Sequence, residues 1–461
     1  MRTDRSALRR AHLHVVNASR ADQRYEVYTR KDIDTLPQLK RLSEAERLSM
    51  KAVSAVLPFR VNNYVVEQLI DWSNLPADPI YQLTFPQPEM LETEDFARMY
   101  KLVRSGAPRD ELKRAAREIQ LHLNPHPGGQ MELNVPQLDN EPLPGMQHKY
   151  RETVLFFPAA GQTCHAYCTY CFRWAQFVGL DAVKFANHQV ESLVAYLKRH
   201  PEVSSVLLTG GDPLVMKTAV LRRYVEPLLD PSLEHIESIR IGTKAPAYWP
   251  QRFTSDPDAV ELLRLFEKVP ASGRHLALMG HYSHPRELET PIAQEAVRLI
   301  KSTGAVVRCQ APLIRHVNDS ADCWAELWRA QVRAGAVPYY MFVERNTGPE
   351  EYFRVPLARA HRIFTNAYRQ VSGLARSVRG PSMSTTPGKI QIDGVTTIQG
   401  ENVFALRFLQ ARDPDWVGRP FHAAYDPDAA WLDELRPAFG EAEFFFEAGL
   451  ESRTAARTLQ N

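Results

Sequence analysis

Cys164, Cys168 and Cys171 follow a C-x3-C-x2-C spacing directly after the apolar run Val154-Leu-Phe-Phe-Pro158. Thiolates are the usual ligands of iron–sulfur clusters, and a four-iron cluster bound wholly by protein takes four of them. Three close cysteines can hold three irons and leave the last iron to a ligand that is not protein. A structural zinc site is the alternative. It needs four Cys or His ligands, and the missing one would come from His165, Cys309 or Cys323. Inert buried cysteines are the third reading.

A second feature lies further along the chain. Ser205-Val-Leu-Leu-Thr209 reads as a strand and runs into Gly210-Gly211-Asp212-Pro213. Glycines at the C-terminal end of a strand let a ligand approach the backbone, and that end is where barrel sites sit. Alone, Gly-Gly-Asp is a turn signal. Together with the cysteine triplet it resembles the radical S-adenosylmethionine (SAM) superfamily. The resemblance implies a [4Fe-4S] cluster on Cys164, Cys168 and Cys171, with SAM held at Gly210, Gly211, Asp212 and Pro213.

The elements that must position these residues show in the apolar periodicity. Strand-like runs fall at 153–158, 204–210, 237–243, 275–281, 305–311 and 337–343. Helical patterns alternate with them over Gln189–Arg199, Leu221–Leu229, Asp256–Lys268, Pro291–Ser302 and Cys323–Ala334. Such alternation argues for an α/β fold with a parallel sheet. Six units are fewer than the eight of a closed barrel, so a partial (β/α)6 TIM-type barrel is expected, with an open doubly wound sheet as the alternative. Before it lies a helical region. Ser43-Glu-Ala-Glu46 is a capping-box pattern, Tyr64–Trp72 reads as a second helix, and Glu92–Leu123 reads as two helices broken at Gly106-Ala-Pro108. After it come a helix over Pro356–Gln370 and a hairpin with its turn at Asp393-Gly394. An aromatic, acidic tail then packs on the barrel or on another subunit. The expected divisions are a polar segment over 1–40, the helical region over 41–145, the barrel over 146–350 and an extension over 351–461.

Composition bounds the function. The 461 residues are 44% hydrophobic and 24% charged, enough to bury a sizeable core, and the formal charge of +2 argues against a nucleic-acid partner. Five cysteines give no even disulfide framework, so a reducing, cytoplasmic setting is expected. The basic N-terminus lacks the apolar core of a signal peptide, and no apolar run is long enough to span a membrane.

A more specific likeness follows from short matches in a fixed order. They are His148-Lys-Tyr150, Leu208-Thr-Gly-Gly-Asp212, Ile241-Gly-Thr-Lys-Ala-Pro246, Pro250-Gln-Arg252, His281-Tyr-Ser-His-Pro285, Val317-Asn-Asp319, Pro338-Tyr-Tyr340 and Tyr352-Phe-Arg354. Over roughly residues 55–395 the chain resembles the lysine 2,3-aminomutase family of radical SAM enzymes. The resemblance implies an isomerase that moves an α-amino group to the neighbouring carbon. Its cofactors would be the cluster, SAM and pyridoxal 5′-phosphate (PLP), and a flavodoxin- or ferredoxin-like donor would reduce it. Lys389 falls at the position of the PLP lysine, Lys149 at that of an arginine near the cofactor phosphate, and Thr153 replaces a second such arginine. The family's glycine run is here Ser384-Thr-Thr-Pro-Gly388. Arg173 matches the arginine that grips the substrate carboxylate, the two-pronged contact a guanidinium favours. His281 and Gln310 fall where residues line SAM.

Lysine-specific members hold the distal ammonium with two aspartates, and those positions are Arg345 and Ser382 in this chain. Like charges buried together are costly, so a substrate with an anionic or neutral far end is expected, glutamate- or aspartate-like. A register slip of one residue would place Glu344 there and restore lysine. Alternatives are lysine 2,3-aminomutase proper, a PLP-independent radical SAM reaction, and a zinc-stabilised binding barrel. No cysteine follows Cys323, so the family's C-terminal metal-binding cysteines are absent and a homodimer rests on base rate alone.

Overall fold

The computed structural model describes residues 24–180 and 185–458. Of the polar segment expected over 1–40, residues 1–23 lie outside the described residues. Two small antiparallel pairs come first, β1 (Val27–Thr29) with β2 (Arg60–Asn62) and β3 (Gln137–Leu138) with β4 (Glu141–Pro142). Eleven strands then form one sheet in sequence order. They are β5 (Met146–Tyr150), β6 (Thr153–Phe156), β7 (Ser205–Leu208), β8 (Ser238–Thr243), β9 (His275–His281), β10 (Val306–Leu313), β11 (Val337–Val343), β12 (Arg379–Ser384), β13 (Gly388–Ile398), β14 (Glu401–Ala411) and β15 (Pro420–Ala424).

From β6 to β12 neighbouring strands are parallel; β5 and β13–β15 run antiparallel to their neighbours. Helices 190–199, 218–225, 259–271, 291–302, 321–333 and 357–369 connect the parallel strands in turn. This is an α/β fold, as the alternating periodicity demands.

The strands' residue pattern shows which face does what. In β8, Ile239, Ile241 and Thr243 are buried, whereas Arg240 and Gly242 between them are half-buried. Laid flat, strands seven places apart would be about 33 Å distant. Yet Lys149 on β5 donates a hydrogen bond to the Thr385 carbonyl, just past β12. The sheet therefore curls until β5 returns to the end of β12, and the half-buried face turns inward around a lumen.

Several expectations need correction. The sheet has seven parallel strands, not six. β12 went unread because Gly380-Pro381 interrupts it, but a register irregularity between Tyr340 and Phe342 accommodates the proline. A Cβ at Gly380 would lie 2.5 Å from the Met341 carbonyl oxygen, so only glycine fits. The strand β13 runs on through Asp393-Gly394, which forms a bulge, and the chain reverses at Gln399-Gly400 instead. Both turn residues have positive φ (53° and 86°), the conformation that suits a twisted two-residue hairpin. The helix expected over Tyr64–Trp72 is shorter and wider than expected, a π-helix over Val65–Leu69.

Elsewhere local chemistry sets the ends. The Ser43 hydroxyl accepts from the Glu46 amide, and the Glu46 carboxylate accepts from the Ser43 amide, capping helix 44–56. Helices 93–104 and 109–122 part at Gly106 (φ 66°). One hydrophobic core joins the N-terminal helices to the parallel strands. A second lies over β12–β15, where Phe404, Phe408 and Phe421 pack with Phe444 and Phe446 of the tail. Among the described residues no helix is long and apolar enough to cross a membrane.

Candidate functional site

The cysteine loop leaves the C-terminal end of β6 and lies on the glycine motif after β7. The Gly211 amide donates to the Gly161 carbonyl (3.1 Å), and the Asp212 amide donates to that of Thr163 (2.7 Å). A Cβ on Gly211 would stand 2.3 Å from the Thr163 carbonyl oxygen, and one on Gly210 (φ 153°) equally close to the Gln162 side chain. Gly211 is thus required by the approach of the backbone that carries the cysteines, and Gly210 by its left-handed φ.

The Asp212 carboxylate turns away from that loop. It accepts from the Leu214 amide, the Lys244 amide and the Thr243 hydroxyl, tying β7 to the end of β8. Burial raises its pKa to about 6 despite these bonds, which leaves it ionised at neutral pH. Pro213 opens a short 3₁₀ turn behind it. These two motif residues hold the scaffold together.

Burial lifts all three thiols above the usual cysteine range, Cys171 to about 12. Around Cys168 lies a polar network. The Tyr248 hydroxyl is 3.9 Å from its sulfur, and Lys244 pairs with the fully buried Glu287 at 2.7 Å. The Tyr170 hydroxyl bridges His281 Nε2 (2.8 Å) and Ser283 (3.2 Å). His281 on β9 stands in register with Gln310 on β10, so these two sequence-read residues share one edge of the lumen. Among the described residues no three His, Cys, Asp or Glu side chains close on a single ion, as a zinc site requires. His165 is buried, burial lowers it to about 3, and its Nε2 has no partner among the described residues.

Arg173 is no surface residue; 8% of it is exposed. Its guanidinium lies 4.4 Å from the Phe157 ring centre and donates to Gln162 (3.1 Å) and Gln176 (2.5 Å), while Nε is unpartnered. Burial lowers it to about 10. A cleft opens beside it, lined by Phe172, Gln176, Gln147, Gln130 and Pro127 among others.

On the lumen side opposite, Lys389 is half-buried on β13, not an exposed lysine beside a turn. Its amine donates to Gln410 (3.0 Å) and sits 4.2 Å from the centre of the Tyr340 ring, which stacks on Phe342. Burial, then Arg379 and Arg240, lowers its pKa to about 7. Gly388 is forced by packing, because a Cβ there would meet the Gln410 carbonyl oxygen at 2.4 Å. Ser382 pairs with Gln391 across β12 and β13; it is fully buried, with an unpartnered hydroxyl.

Arg345 and Lys149 meet near this wall. Arg345 donates to the Ser384 carbonyl (3.2 Å), lies over the Phe172 ring, and is lowered by burial to about 10. Burial holds Lys149 well below the ordinary lysine range, with Arg412, Arg345 and Lys389 adding to the shift. Glu344 is buried too, and burial pushes its carboxyl well up against the pull of Arg345. Arg240, Arg379 and Arg412 had escaped the sequence reading. Only Arg240 left a trace, as a cation at an alternating position of an otherwise apolar strand.

No protein-family model matches the chain. A protein of Aquifex aeolicus (strain VF5), named as a candidate L-lysine 2,3-aminomutase, is 32% identical over 411 residues, which cover 89% of this chain and 96% of that one. The L-lysine 2,3-aminomutase of Clostridium subterminale is 28% identical over 272 residues, 59% of this chain and 62% of the relative. Among solved structures, Streptococcus suis SuiB bound to S-adenosylmethionine is 14% identical, covers 60% of this chain and 58% of its own, and gives a TM-score of 0.34. A radical SAM methyltransferase from Sphaerobacter thermophilus is 16% identical, covering 59% and 89%, with a TM-score of 0.35. At those scores the structural likenesses carry no weight. The extent and identity of the Aquifex match, together with the cysteine loop on its glycine support, make this chain a member of the lysine 2,3-aminomutase family of radical SAM enzymes.

Proposed function

We propose that the chain is an amino-acid 2,3-aminomutase whose substrate carries an anionic or neutral distal group, glutamate- or aspartate-like, rather than lysine. The observation that carries this reading is the convergence of Lys149, Arg345 and Arg412 on the carbonyls of Thr385, Ser384 and Thr386, within electrostatic reach of Lys389. A lysine ammonium brought among these cations would be repelled, whereas a carboxylate would relieve their mutual repulsion.

The chain's residues fit the three cofactors of this chemistry. Cys164, Cys168 and Cys171 share one half-buried loop for a [4Fe-4S] cluster, and Gly210-Gly211 pack directly against the backbone of that loop. For PLP there is a buried amine at Lys389 over Tyr340, and an unpartnered Nε on Arg240. When bound, the cluster and SAM supply a carbon-centred hydrogen abstractor and PLP carries the migrating amine. The protein's share is to position and to exclude water. Arg173 grips the substrate α-carboxylate with the edge left free at Nε. Lys389, near half neutral at neutral pH, is ready to bond a carbonyl. In this reading the curled sheet is a partial barrel whose first six parallel strands lie within 146–350, with the 351–461 extension supplying the seventh and the lysine. The setting is reducing and cytoplasmic, and a flavodoxin- or ferredoxin-like donor feeds the cluster.

The lysine reading keeps one observation in its favour. Glu344 is buried within electrostatic reach of Cys171 and Tyr170, so it faces the cysteine loop. Anaerobic incubation with SAM, a strong reductant and a panel of amino acids decides between them. The expected result is isomerisation of glutamate or aspartate, with Arg345→Asp losing at least about tenfold on that substrate. Turnover of lysine alone by the unaltered protein rejects the proposal.

A further inference from the structure

Below Lys389 the lumen holds three arginines on three strands, Arg240 on β8, Arg308 on β10 and Arg379 on β12. The Arg379 guanidinium lies 4.2 Å from the Tyr340 ring centre, matching the Lys389 amine on the same ring, and 4.6 Å from that of Tyr339. Arg308 stands over Tyr339 at 5.3 Å. Arg240 reaches Thr153 at 3.4 Å through one terminal nitrogen, and its buried Nε has no partner. Among the described residues none of the three pairs with a carboxylate. Aromatic faces hold the guanidinium planes, but cation–π contacts supply only about 0.5–2 kcal/mol each and leave the N–H edges unused. Three half-buried cations with unspent donors next to a reactive amine are costly unless an anion joins them.

We infer that Arg379 and Arg308, with Arg240, form a cradle for the phosphate monoester of PLP, supplying from β10 and β12 the positive charge that Thr153 does not. The inference rests on the PLP reading of Lys389. It assigns to β12 a role that the lysine alone does not require, since the aldehyde end and the phosphate end are recognised by different strands. A phosphate dianion suits this set because guanidinium edges bind its oxygens in pairs.

The test titrates the cofactor-free full-length protein with PLP and with pyridoxal, which has the aldehyde but no phosphate. The readout is the long-wavelength absorbance of the lysine-bound cofactor, with Lys389→Ala as the blank. Wild type should bind PLP at least about 100-fold more tightly than pyridoxal, and Arg308→Gln/Arg379→Gln should lose about 10- to 100-fold for PLP only. Unchanged pyridoxal binding in that variant also shows that it is folded. Inorganic phosphate should compete with PLP but not with pyridoxal in wild type, which tests the cradle without any substitution. A variant that keeps the wild-type preference for PLP overturns the inference while the PLP reading stands. Absence of the band from wild type with both aldehydes removes the PLP reading itself, and the inference with it.

Discussion

The two sides of the lumen handle charge in opposite ways. Beneath the cysteine loop these buried charges are paired: Asp212 takes donors from Leu214, Thr243 and Lys244, Lys244 pairs with Glu287, and Arg252 pairs with Asp258 at 2.7 Å. Around Lys389 cations collect, from Lys149 and Arg345 at the top to Arg379 and Arg308 below, with Glu344 the acid in reach of Arg345. Paired buried charges fix geometry, because removing either partner strands the other. Unpaired ones cost stability and persist where a ligand completes them. The first side is therefore a finished mount for a loop, and the second is the set of cations that the proposed anionic ligands would complete.

The contrast is most severely tested at Gly211. In Gly211→Ala the new Cβ must displace the Thr163 backbone. After anaerobic reconstitution, iron should fall from about four to under one per chain, and 5′-deoxyadenosine production should disappear. Next come paired substitutions read by denaturant unfolding. Asp212→Ala should cost about 3–5 kcal/mol, because it leaves three donors stranded, whereas Arg379→Gln should cost about 1 kcal/mol or less. Equal losses would erase the distinction between the two sides.

The pH dependence of stability gives a smaller effect. The native Lys389 amine titrates near 7 and the unfolded one near 10.4. Between those values the unfolded chain binds a proton that the native protein does not, so this group makes stability rise with pH across that window. Below about pH 7 both forms are protonated and its burial cost is fully present. Lys389→Met should flatten the rise, as urea midpoints at pH 7 and pH 9.5 would reveal. Smallest of all, Ser43→Ala removes a cap remote from both sides and should cost about 1 kcal/mol. It should leave iron content and cofactor absorbance untouched.

The strands β6–β11 could be read from the chain because parallel strands buried against helices are short apolar runs bounded by turns, and helix 291–302 carries its own period. β12 could not, since proline and glycine signal a turn until a neighbouring strand is present to absorb the irregularity. The Asp393-Gly394 pair misled for the converse reason: it suits a two-residue turn locally, but β14 pairs straight past it.

The site divides along the same line. Cys164, Cys168, Cys171 and the glycines after β7 are close in sequence or follow a fixed pattern, so spacing, with the family resemblance it carries, was enough to single them out as candidates. A local run of residues also placed Lys389 beside Gly388. What the folded chain alone decided is which charges face one another. Arg240, Arg308 and Arg379 come from three strands far apart in sequence, and nothing local marks them as neighbours of one amine. Their grouping, and the lowered pKa of Lys389 that burial, Arg379 and Arg240 produce, exist only once the sheet curls and water is excluded. Electrostatic coupling depends on distance and dielectric, and neither is a property of sequence order.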